Sequence, residues 1–279
     1  MNDRTLNNFG GDPLASDWIP PEIDTTKAHP ARIYDVMIGG RDHFPVDRAA
    51  AENARNYLPQ LWDMAKANRA FLGRAVRFLA SSGIDQFLDI GTGIPGPGNT
   101  GQAARAIAPE ARVVYVDYDP IVAVHSRALL AGADPALTGV VVADVRDPDS
   151  ILQHPGVRAV LDFERPIAVL MVALLHFVSD AEDPAGIVRR FMDAVVPGSA
   201  LVLSHATLGD DPVANIEGPK GWDQATSKLY LRPLEQIVPL FEFVDVVEPG
   251  IVQPQLWRPD PQENNTVEAL FPCGVGYKK

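Results

Sequence analysis

A chain of 279 residues, 46% hydrophobic and 22% charged, has the composition of one large globular domain with an extension, or of two small domains. Its formal charge of −12 is a poor electrostatic match for a phosphate backbone, which disfavours general nucleic-acid binding. A single cysteine, Cys273, excludes an internal disulfide and a cysteine metal cluster, and the longest apolar run, Ile167 to Leu175, is too short to span a bilayer.

Residues 1–29 are polar and broken by glycine and proline, which predicts an arm with little regular structure. Without an apolar signal core in this arm, a cytoplasmic setting is expected. Ala31 to Ile38 predicts a short helix stopped at Gly39-Gly40. Pro45 suits the first turn of a second helix, with Asp47 near its positive end. Residues 30–60 then read as a helical cap. A third helix, Leu61 to Ala80, places Leu61, Met64, Ala65, Phe71, Leu72, Ala75, Val76 and Leu79 along one side, and Gly83 ends it.

From here the chain alternates. Strands are expected at Gln86–Ile90, Arg112–Val116, Val140–Ala143, Ile167–Val172 and Ala200–Ser204. Helices are expected at Thr100–Ala108, Pro120–Leu130, Ser150–Leu152 and Pro184–Val195. This rhythm predicts a mostly parallel sheet covered on both faces. After Ser204 the reading is a loop over Gly209 to Gly221, a helix Pro233–Leu240 and two β-like stretches, Phe241–Val247 and Val267–Tyr277. These add a terminal antiparallel pair, for seven strands in all.

The stretch Gln86 to Gly101, QFLDIGTGIPGPGNTG, is the first strand, a glycine- and proline-rich loop and the start of a helix. Ligands in open α/β sheets sit beyond the carboxyl ends of the strands, where glycines admit them to the backbone. Gly91-x-Gly93-x-x-Gly96 formally matches a dinucleotide fingerprint. Against that, Pro95 and Pro97 delay the helix that should meet a pyrophosphate, and Asp89 would face the incoming anion. S-adenosylmethionine, which carries an ammonium and no phosphate, suits Asp89 better. Asp117, ending VVYVD, can accept both hydroxyls of a ribose. Asp144 can accept an adenine amino group, the Val145 N–H can reach a ring nitrogen, and Tyr118 or Ile121 can pack on the base. Gly91, Thr92 and Gly93 complete the expected loop. Asp119 and Asp147 each precede a proline and read as helix caps.

DIGTG, VVYVDYDP, ADVRDP and ALLHFV resemble the signatures of class I S-adenosylmethionine-dependent methyltransferases. Together with ARIYDVMIGGRDHFPVDRAAAE, NRAFLGRAVRFLA and LVLSH, they resemble a bacterial family of uncharacterised methyltransferases of that class, over about residues 30–277. The resemblance implies a Rossmann-like fold, an S-adenosylmethionine-binding methyltransferase domain over 61–279 and methyl transfer. It names no acceptor. It also sharpens the reading of residues 30–60 as a lid, with Gly39 and Gly40 giving close approach and Tyr34, Met37, His43 or Phe44 enclosing the methyl donor; a plain helix pair covering a sheet edge is the other reading.

The third helix must return antiparallel to the first strand. A strand of five or six residues rises roughly 18 Å, which a helix covers in about 12 residues. Counting back from Ala80 puts Asn68 and Arg69 level with the ligand edge. Arg69 then pairs with the methionine carboxylate or with a surface acid. His176 and His205, after the fourth and fifth strands, are candidate general bases or packed histidines. Trp222, Tyr230 and Trp257 line a substrate mouth or belong to the core. No metal-ligand spacing is present. The leading expectation is a methyltransferase acting on an unidentified small molecule; a non-catalytic S-adenosylmethionine-binding sensor and an NAD-dependent oxidoreductase are the alternatives.

Overall fold

A computed structural model describes residues 24–129, 133–209, 212–220, 222, 225–261 and 270–279. Three helices come first: α1 (Pro30–Met37), α2 (Pro45–Tyr57) and α3 (Leu61–Ser81). Then follow β1 (Gln86–Ile90), α4 (Thr100–Arg105), β2 (Arg112–Asp117), α5 (Pro120–Leu129), β3 (Thr138–Val142), α6 (Pro148–Leu152), α7 (Pro155–Arg158), β4 (Ala168–Val172), α8 (Pro184–Ala194) and β5 (Ala200–Ser204). The C-terminal part holds α9 (Pro212–Lys220), α10 (Leu234–Ile237), β6 (Val244–Val246) and β7 (Cys273–Lys278).

The seven strands are ordered β3-β2-β1-β4-β5-β7-β6; β7 pairs antiparallel with both β5 and β6, and the remaining pairs are parallel. The chain winds outward from β1 in one direction and from β4 in the other. The crevice at the carboxyl ends of β1 and β4 is therefore the switch point where such sheets bind ligands.

Side-chain parity decides what faces that crevice. Leu88 and Ile90 point to the face packed by α6 and α8, in one core with Ile151 and Phe191. Phe87 points to the other face, in one core with Phe71, Leu72 and Val76 of α3. Side chains alternate along a strand, so Asp89 shares the α3 face with Phe87, and Asp117 shares it with Val113 and Tyr115. The carboxyl-terminal half of α3 packs on the sheet. Its first two turns, with buried Leu61, Met64, Ala65 and Asn68, carry on past the strand ends.

The caps follow the sequence. Asp119 Oδ1 accepts from Ile121 N at 2.9 Å, and Asp147 Oδ1 from Ser150 N at 3.2 Å. Residues 24–29, expected within the polar arm, are fastened down. Arg32 donates to the carbonyls of Asp24 and Lys27, and Ala28 and His29 are buried. The rest of the expected arm lies outside the described residues.

The Gly209–Gly221 stretch is not all loop, because α9 occupies most of it. Its Val213 and Ile216 are 63% and 62% exposed, so it offers no buried stripe for a periodicity argument to find. The segment expected as Pro233–Leu240 is α10 followed by a 3-10 turn, Val238–Phe241. The final strand starts at Cys273, and the first part of its expected span, 267–269, lies outside the described residues.

Candidate functional site

A cavity of about 570 Å³ lies over the carboxyl ends of β1, β2, β4 and β5. Its roof is built from α1, the α2–α3 corner and the chain around Trp222 and Leu231. Roof and walls meet through Tyr118, whose hydroxyl lies 3.0 Å from His29 Nε2 and 2.8 Å from Ser227 Oγ. The segment carrying Ser227 is tied to α1 by a parallel bridge between Ala28 and Ala225.

One end of the cavity is polar. Asp89 is buried, and its Oδ2 accepts from Thr92 Oγ1 at 3.1 Å and Thr100 Oγ1 at 2.6 Å. Its Oδ1 has no hydrogen-bond partner among the described residues. Burial pushes the Asp89 carboxyl up, partly offset by the Thr100 hydrogen bond and the Arg69 charge. Asp117 accepts from Gly93 N and Asp119 N, both at 2.9 Å, and burial pushes it up to about 6. Gly91, Thr92 and Gly93 line the cavity beside them. Gly91 has φ +68°, and a Cβ there would sit 2.5 Å from Leu174 Cδ1, so the turn requires glycine twice over.

Arg69 reaches the same end, and Asn68 lies next to it, at the level that the helix-length argument assigns them. Arg69 Nε and Nη2 are buried and have no hydrogen-bond partner. Asn68 instead serves the frame: it accepts from Ser204 Oγ at 2.6 Å and donates to the Tyr34 hydroxyl at 3.1 Å.

Asp144 and Val145 do not line the main cavity. They line a smaller pocket of about 40 Å³ that adjoins it through Gly91, Asp117 and Tyr118. Asp144 is partly exposed and pairs with Arg146 at 3.2 Å.

Of the expected lid, Tyr34 and Met37 line the cavity, whereas Gly39, Gly40, His43 and Phe44 do not. Gly39 closes α1 with φ +81°, and Gly40 packs on the Asp35 carboxylate, which also holds His43 Nδ1 at 2.9 Å. These glycines serve a turn rather than the approach of a ligand.

The two histidines, read from the sequence as general bases or packed residues, differ in their surroundings. His176 lines the cavity, but its Nδ1 accepts the Ala206 N–H at 3.2 Å. A backbone N–H can only donate, so the neutral ring carries its proton on Nε2. Burial, with neighbouring Arg232 and His205, holds its pKa well below the usual histidine value. His176 is thus an Nε2–H donor and not a base at neutral pH. His205 lies behind it, outside the cavity lining. Its Nδ1 donates to Ala206 O at 2.7 Å, and its Nε2 accepts from Arg232 at 2.8 Å. Burial pushes it down to about 4. With both nitrogens engaged, it is a packed residue.

Arg232, which sequence reasoning missed, also donates to Leu175 O, Val178 O and Asp180. His29 was missed too, although a polar residue directly before Pro30 is a cap signal. Ala173 holds φ +55° in the cavity wall, and no sequence pattern marks it. Of the late aromatics, Trp222 lines the cavity, Tyr230 does not, and Trp257 is fully buried against Phe71 and Phe78.

The loop after β1 does not offer a pyrophosphate site. The α4 helix begins only at Thr100, and its first amides are already taken. Gly101 N donates to the Tyr115 hydroxyl at 2.9 Å, and Gln102 N to Asn99 Oδ1 at 3.1 Å.

Comparison with known proteins agrees with this geometry. A family model described as S-adenosyl methyltransferase matches residues 16–279. A Thermobifida fusca YX protein, itself provisionally assigned as a methyltransferase, is 41% identical with a TM-score of 0.86, over 95% of this chain and 100% of that one. A DUF574 family protein from Streptomyces avermitilis MA-4680 is 41% identical with a TM-score of 0.88, over 92% of this chain and 100% of that one. No curated protein matches the sequence. The chain belongs to the S-adenosyl methyltransferase family, with the class I fold and S-adenosylmethionine as its cofactor.

Proposed function

We propose that this protein transfers a methyl group from S-adenosylmethionine to a small-molecule acceptor held in the same cavity. The observation that carries the reading is the pair of buried Arg69 nitrogens, Nε and Nη2, with no hydrogen-bond partner among the described residues, on a guanidinium whose charge acts on the buried Asp89 carboxyl. A zwitterionic amino-acid group supplies what both lack: a carboxylate for Arg69 and an ammonium for Asp89.

Asp117 would hold the ribose, keeping both carboxylate oxygens in place through Gly93 N and Asp119 N. The pocket at Asp144 and Val145 would take the adenine. When bound, S-adenosylmethionine supplies a methyl group made electrophilic by its sulfonium. The protein's own part is to orient the two partners and exclude water under the α1 roof, which alone can supply much of the rate. His176, the histidine over β4, offers a donor proton there rather than a base.

The test is transfer of a tritiated methyl group from S-adenosylmethionine to small-molecule extract fractions. Protein-dependent label in a fraction, suppressed by excess S-adenosylhomocysteine, is the expected result. Tight cofactor binding with no transfer to any fraction would overturn the reading in favour of a non-catalytic sensor.

A further inference from the structure

The cavity has two ends of different chemistry, and the second end describes the acceptor. Among the described lining residues the charged side chains are Arg69, Asp89 and Asp117, and all three stand where the cofactor reading places S-adenosylmethionine. The sheet order sets these over β1 and β2. The remaining space lies over β4 and β5, against the first turns of α3. There the wall is Met64, Ala206, Leu231, Leu270 and Phe271, which form one apolar cluster. Trp222 and Phe177, with ring centroids 5.7 Å apart, close the side toward α1.

Of the polar side chains that line the cavity, Asn68, Thr207 and Asn215 are bonded within the protein, and His176 turns a ring N–H toward this apolar cluster. His176 is 4% exposed and is wedged between Phe177 and Phe271, with ring centroids 4.5 and 5.8 Å away. Its Nδ1 is spent on Ala206 N, and its Nε2–H faces the cavity with no hydrogen-bond partner among the described residues. A buried donor is stable there when a ligand oxygen accepts from it. A charged acceptor would lose its hydration with no counter-charge among the described lining residues, because Arg69 and Asp89 are used by the cofactor.

Resting on the methyltransferase reading, we infer that the acceptor is a neutral, largely apolar small molecule carrying an oxygen that accepts the His176 Nε2–H. His176 acts as a positioning and specificity residue, selecting an oxygen-bearing apolar molecule over a charged one.

The test is calorimetric titration of the protein saturated with S-adenosylhomocysteine, using three probes of similar size: 2-naphthol, 2-naphthoate and 2-naphthylmethylammonium. The expected result is measurable 2-naphthol binding, with each charged probe at least about tenfold weaker. Naphthalene should bind about three- to tenfold more weakly than 2-naphthol, the worth of one neutral hydrogen bond. Leu231→Trp should fill the chamber and abolish 2-naphthol binding while leaving S-adenosylhomocysteine affinity unchanged. Equal or tighter binding of a charged probe, absence of 2-naphthol binding, parity of naphthalene with 2-naphthol, or indifference to Leu231→Trp would each overturn the inference. Failure of S-adenosylhomocysteine itself to bind would instead overturn the underlying functional reading, and the probes alone separate the two without any variant.

Discussion

Replacing Arg69 with methionine separates a cofactor-binding role from a structural one. In the free protein, Nε and Nη2 of Arg69 are buried with no hydrogen-bond partner. Such a group costs folding free energy, so its removal should leave thermal stability unchanged or raise it. In the complex, the same guanidinium should make charge-assisted hydrogen bonds to the methionine carboxylate, worth about 1.5–3 kcal/mol. At about 1.4 kcal/mol per tenfold, Arg69→Met should weaken S-adenosylmethionine binding by about 10- to 150-fold. Arg69→Lys should recover only part of this, because an ammonium cannot reproduce the planar fork. Calorimetry for affinity and a thermal melt without ligand read the two effects independently. A melting temperature lowered by several degrees with unchanged affinity would refute the reasoning and make Arg69 a framework residue.

The Asp117, Gly91 and Arg232 contacts carry the remaining predictions. Asp117 titrates near 6 in the free protein, and a bound ribose stabilises its charged form, so binding should be constant above about pH 6.5 and weaken by up to about tenfold per unit as pH falls below 6; a flat profile to pH 5, or an unchanged one in Asp117→Asn, would contradict this. The same raised value means that ionised Asp117 opposes folding, so its contribution to the free protein's stability falls as pH rises from about 4 to about 6 and is level above that. Gly91→Ala forces a Cβ into left-handed backbone and onto Leu174, which should cost about 2–4 kcal/mol in chemical denaturation, and Leu174→Ala should relieve the contact part but not the backbone part. Arg232→Met strips Leu175 O, Val178 O and His205 Nε2 of their donor, and should lower stability by about 3 kcal/mol with little change in cofactor affinity.

The layout of the sheet was legible because the parallel strands are short apolar runs, with a polar residue at or next to the carboxyl end of β1, β2 and β5 (Asp89, Asp117 and Ser204). Arg69 could be placed without any motif, since the length of one strand fixes where an antiparallel helix crosses the ligand edge. What failed did so for physical reasons. Gly39 and Gly40 carry the composition of a ligand-approach loop, yet Gly39 supplies the positive φ that closes α1 and Gly40 makes room for the Asp35 side chain of that helix. The sequence left His176 and His205 open between base and packed residue because a histidine's role depends on which nitrogen is already bonded, and the partners that decide it, Ala206 for His176 and Arg232 for His205, lie far along the chain. The α9 helix was hidden because it exposes its apolar residues and contains Pro219. The acceptor chamber was invisible in the sequence, since residues near 64, 206, 231 and 271 meet only after the sheet has formed.

The central claim is that the crevice at β1 and β4 holds S-adenosylmethionine between Arg69, Asp89 and Asp117. Calorimetric titration of the purified protein with S-adenosylmethionine and with NADH, repeated on Asp117→Ala, tests it most directly. The account predicts micromolar binding of S-adenosylmethionine, weakened at least about tenfold in the variant, and no heat from NADH. Binding of NADH in place of S-adenosylmethionine, or S-adenosylmethionine affinity indifferent to Asp117→Ala, would contradict it.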